Sequence, residues 1–149
     1  MLQKKLLTIS FLTILSILIF HYFALRYSWY WTIRWLDTPV HIVGGFWVSV
    51  TALWVSLKSG YIKDIRGYKS KTLLAMLISV LIVAVFWEIF ELVFKITSLN
   101  SVGYWQDTLG DIFNTFIGGV VVFIYFVRNK KVKHLVANNN LKMDFIVVL

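Results

Sequence analysis

The stretch Thr72-LLAMLISVLIVAVFWEIFELV-Phe94 decides the fold. Its only charged residues are Glu88 and Glu91, both near one end, and it contains no proline. As a helix rising about 1.5 Å per residue, a run of this length covers the roughly 30 Å of a bilayer's hydrocarbon core. Working outward, three further runs have comparable length and character: Leu6 to Phe23, Val40 to Leu57 and Thr108 to Val127. The sequence therefore predicts an all-α membrane protein, a four-transmembrane-helix bundle forming a single integral membrane domain over residues 1–149, with a tail over 128–149.

Composition agrees. The chain is 59% hydrophobic and 15% charged, too little polar surface to coat a soluble globule. It contains no cysteine, so a disulfide framework and a thiolate metal site are both excluded. The net charge of +8 would suggest nucleic acid in a soluble protein. Here the basic residues sit between apolar runs, so they read as a solvated flank against anionic lipid, with membrane lipid and not nucleic acid as the partner.

Charge also orients the spans. Twelve basic residues fall in the N-terminus, the 58–71 loop and the tail, whereas the other side has only Arg26, Arg34 and Lys95. By the positive-inside rule both termini are cytoplasmic. The expected location is a cytoplasmic membrane, crossed several times. Lys4 and Lys5 before the first span resemble the start of a signal peptide, but the apolar run continues to Phe23 and no small-residue cleavage pattern follows. The segment from Arg26 to Trp35 is dense in Trp and Tyr and reads as an interfacial aromatic belt, or alternatively as a lip that grips a substrate.

With this topology, every carboxylate in or beside a span lies at the outer end: Asp37, Glu88, Glu91, Asp107 and Asp111. Carboxylates near hydrocarbon are costly and mark functional sites by default. His41 follows Asp37 by four residues, on the same helical face and about 6 Å deeper. Asp107, Asp111, Asn114 and Gly118 form a stripe along one face of the last span. Three spans thus bring polar faces to one leaflet, and in a small bundle these faces converge.

Simpler roles compete. Asp37 before Thr38 and Pro39 has the form of a helix N-cap, as has Asp107 at the start of its span. Glu91 and Lys95 are spaced as an i, i+4 ion pair. His41 would serve equally as a hydrogen-bonded packing residue. Gly44-Gly45 and Gly118-Gly119 suit close helix contact. Glu88 and Asp111 lie a turn or more inside their spans, where neither capping nor a loop accounts for them.

Five clustered carboxylates cannot all stay ionised without cations. Compensation would come from Arg26, Arg34 and Lys95, from retained protons, or from a divalent metal. Carboxylates with one imidazole suit Mg²⁺, Mn²⁺ or Zn²⁺.

The order Asp37-x-x-x-His41, Trp87-Glu88-x-x-Glu91 and Asp107-x-x-x-Asp111-x-x-Asn114-x-x-x-Gly118 resembles the pattern of the VanZ-like superfamily and its sister group of small bacterial membrane proteins. The resemblance spans residues 37 to 119. It departs from the glycopeptide-resistance branch at Thr38, where that branch carries Lys, and at Glu91, where it carries Gln. The resemblance implies a multi-span bundle with a polar site on the extracytoplasmic side, connected with cell-envelope lipid or glycan chemistry.

The expected function is binding of, or action on, an envelope lipid or glycan head group. In an enzymatic form His41 and Glu88 are the candidates for general base, with Glu91, Asp107 and Asp111 holding the metal and Asp37 and Asn114 in support. The alternative is a non-enzymatic, ion- or proton-coupled transport element or partner subunit, although such sites usually lie at the bilayer midplane. Helices apolar almost all round also suit a homo-oligomer with the site at its seam.

Overall fold

The computed structural model describes residues 2–63, 65, 67–94 and 103–128. Its helices are α1 (Leu2–Arg26), the single turn α2 (Trp29–Thr32), α3 (Asp37–Lys58), α4 (Lys69–Val93) and α5 (Tyr104–Arg128), with a 3-10 turn (Arg34–Leu36) running into α3. There is no strand among the described residues. The four long helices are each long and apolar enough to cross a membrane, and the chain is an integral, multi-pass membrane protein.

Each long helix begins three or four residues before the apolar run that announced it. Hydropathy marks only the part inside hydrocarbon, whereas backbone hydrogen bonding continues into the interface, where Lys4, Lys69 and Asp107 are exposed. Large apolar side chains such as Phe86, Val93, Leu109 and Phe113 are exposed, as lipid-facing positions should be.

α3 is the central helix: it packs on α1, α4 and above all α5, and α4 also packs on α5. Because lipid is as apolar as leucine, such contacts depend on small residues and polar links more than on hydrophobic burial. Two glycines allow the α3–α5 approach. A Cβ on Gly45 would meet the Thr115 carbonyl oxygen, and one on Gly118 would meet the Ile42 carbonyl oxygen. A Cβ on Gly119 would come to 2.8 Å from Ser49 Oγ. Gly44 differs, since a Cβ there meets nothing within 4 Å; close helix contact is therefore not its role. A hydroxyl pair, Ser10 Oγ and Thr51 Oγ1 at 2.7 Å, links α1 to α3.

The two ends of the bundle are unlike. At the end carrying Lys58 and Lys69, Leu2, Leu6, Val50, Leu53, Met76, Val122 and Phe126 form an apolar cluster closed by Ile65 from the α3–α4 loop. Gly60, at φ +75°, turns the chain out of α3, a backbone shape that glycine adopts at least cost. The opposite end holds Asp37, Glu88, Glu91, Asp107 and Asp111.

Two capping expectations are corrected. Asp37 has helical dihedrals, and no side chain caps α3. The preceding 3-10 turn, with the Leu36 amide donating to the Ile33 carbonyl at 3.0 Å, feeds directly into the helix and leaves no cap position. Asp107 lies inside the first turn of α5, its amide donating to the Gly103 carbonyl at 3.0 Å. Its carboxylate is placed to favour the helix N-terminus electrostatically without capping it.

Candidate functional site

α3 and α5 each present their buried face to the other at the acidic end. Along α5 that face carries Tyr104, Asp111, Thr115, Gly118, Gly119 and Val122. On α3 it carries His41, Gly45, Val48 and Ser49. The glycine crossing just below brings the backbones together and sets His41 opposite Asp111 and Thr115.

His41 is 8% exposed. Its Nδ1 lies 3.4 Å from Thr115 Oγ1, and Thr115 Oγ1 in turn donates to the Asp111 backbone carbonyl at 2.7 Å. A hydroxyl has one hydrogen, so Thr115 accepts from the ring and the network assigns the proton to Nδ1. Nε2 then faces Asp37 Oδ2 at 3.4 Å and Asp111 Oδ2 at 3.8 Å. Neither approach has hydrogen-bond geometry, and Nε2 is buried without a partner. The lone pair of a neutral ring would point at two carboxylate oxygens, an arrangement that needs a proton or a metal cation between them.

One donor atom from each of Asp37, His41 and Asp111 lies within 4.8 Å of the others, the one such group among the described residues. Donors about 2.1 Å from a shared Zn²⁺ can be up to about 4.2 Å apart. Small side-chain rotations would bring all three into range, so the group is able to hold a metal.

The other acids surround this group without joining it. Glu88 is 7% exposed and accepts from Thr108 Oγ1 at 2.8 Å, which ties α4 to α5. Glu91 is half-buried and accepts from Trp87 Nε1 at 2.9 Å. Both are within electrostatic range of Asp37 and His41. Asp107 is exposed and Asn114 half-buried; neither supplies a donor to the group. Lys95, the expected partner of Glu91, lies outside the described residues.

Sequence reasoning missed three participants. Thr115 orients His41, Thr108 holds Glu88, and Tyr30 lies within electrostatic range of Asp37 and Glu91. The Tyr30 hydroxyl lies 2.9 Å from His21 Nδ1, and the His21 ring meets Trp87 edge-on at 5.8 Å. Burial, reinforced by the charges of Asp37 and Glu91, pushes the Tyr30 phenol up to about 12, so it remains a neutral hydrogen-bonding group beside the acids. For Thr115 a signal existed: it lies one helical turn from Asp111.

A four-span helical membrane protein with a buried acid–imidazole group at one end is the class that this fold and geometry define. The chain belongs to the family described as predicted membrane protein (DUF2238), whose model matches residues 3–131 and so takes in all four spans. No curated protein and no solved structure matches it.

Proposed function

We propose that this protein is a VanZ-like membrane protein of the bacterial cytoplasmic membrane, both termini cytoplasmic, whose extracytoplasmic end binds or acts on an envelope lipid or glycan head group with a divalent cation. The observation that carries this reading is His41 Nε2, buried, without a hydrogen bond and faced by two carboxylate oxygens. The ligands in this reading are Asp37, His41 and Asp111. A cation there would polarise a phosphoryl or acyl oxygen of the head group.

The chain's own residues divide the remaining work. Thr115 holds the imidazole in the tautomer that presents Nε2. Glu88, oriented through one oxygen by Thr108 and outside the ligand set, is the general base in this reading, taking a proton from an attacking water or hydroxyl. α3, α4 and α5 are unbroken helices, whereas transport sites are typically built on interrupted ones; this favours the head-group reading over an ion-coupled transport element.

Metal uptake tests the proposal. Chelator-stripped protein should take up a stoichiometric Mn²⁺ or Zn²⁺ and melt at a higher temperature with it. Asp111→Asn should lose that rise, yet without metal should melt no lower than wild type, because one of several crowded charges has gone. If wild type takes up no metal and both Asp111→Asn and Glu88→Gln melt several degrees lower, the acids form a structural network and the reading fails.

A further inference from the structure

α1 and α4 both rest on α3 but hardly touch each other. Between them lies a cavity of about 100 Å³, with Ile14 and Ile17 of α1 on one wall and Val83 and Ala84 of α4 on the other. Its floor is α3, including Gly44, and His41 and Thr115 line it from within the bundle. Trp87 also lines it, and its ring meets the His21 ring of α1 edge-on.

Three features identify what enters. The gap lies between two membrane-crossing helices, so the medium outside it is hydrocarbon. Most of the lining side chains are apolar, and apolar cavities of roughly this size, ~150 Å³ in one engineered case, stay dry and admit hydrocarbon. Gly44, on the floor, has open space where a Cβ would be; unlike Gly45 it serves no helix contact, and its bare backbone deepens the cleft.

We propose that this cleft admits part of an acyl chain of a membrane lipid sideways from the bilayer, which places the lipid's head at the Asp37–His41–Asp111 group. The inference rests on reading that group as the head-group site, and it selects a chain-bearing lipid over a free glycan. Entry is lateral, between α1 and α4, beside the His21–Trp87 contact.

The probe is full-length protein in vesicles of phosphatidylglycerol containing a fraction with a diazirine on one acyl chain, with photolabelled residues mapped by mass spectrometry. Labelling should concentrate on Ile17 and the buried Ala84 relative to the exposed Phe113. Gly44→Phe, or Val83→Trp from the opposite wall, should reduce cleft labelling to the Phe113 level while leaving metal uptake unchanged. His41→Ala should do the reverse, losing the metal and retaining the label. Uniform labelling of all exposed faces, or cleft labelling unaffected by both filling variants, overturns the proposal. A labelled cleft in a protein that takes up no metal would leave the lipid cleft standing and remove only the cation.

Discussion

Tyr30 shows how a single side chain outside the spans couples to a site within them. Its phenol is held near 12 against an ordinary 10, because burial and neighbouring carboxylates both oppose a phenolate. The unfolded chain therefore loses this proton first as pH rises. Stability from the neutral phenol is fully present below pH 10 and is lost between 10 and 12. The melting temperature of wild type should fall across that interval, and Tyr30→Phe should flatten the fall while lowering stability at neutral pH by about 1 kcal/mol through the lost His21 hydrogen bond. Parallel pH slopes for the two proteins would show that Tyr30 is not the titrating group. None of this was legible in the sequence, where the aromatic run from Arg26 to Trp35 has the composition of any interfacial belt.

Among the helices, the glycines of α3 separate two functions that their adjacency conceals. Gly45→Ala and Gly118→Ala each set a methyl against a backbone carbonyl of the facing helix, which cannot move as a side chain would. Each should cost about 1–3 kcal/mol and pull His41 from Asp111. Gly44→Ala should be neutral or stabilising by up to about 1 kcal/mol, since the space is open and alanine favours helix. Unfolding in detergent by the three variants measures this; equal losses at Gly44 and Gly45 would refute the distinction. The same geometry explains why the sequence located the α5 stripe only approximately. Its buried face centres on Asp111, Thr115 and Gly118, and at about 100° per residue Asp107 and Asn114 fall roughly 40–60° to one side. A stripe drawn through polar residues followed polarity, whereas burial followed the glycine crossing.

The bundle as a whole has an apolar, basic end and an acidic one, and the positive-inside rule assigns them to opposite faces of the membrane. A cysteine replacing Ser101, between α4 and α5, should react with an impermeant maleimide from outside intact cells, and one replacing Ser59 only after permeabilisation. External labelling at both would move the site to another depth. Four spans and their lengths were readable because hydrophobic length is a one-dimensional property of the chain. Partner choice was not: that α3 meets α5 most closely while α1 leaves α4 depends on where glycines fall around each helix in three dimensions. The contact between His41 and Thr115 joins residues 74 positions apart, across an entire intervening span. During synthesis α3 enters the bilayer well ahead of α5, so the nascent chain passes through a stage in which Asp37 and His41 are embedded without Asp111. Insertion of the α5 span is then the event that completes the cluster, so the group cannot exist before the fourth span has met α3.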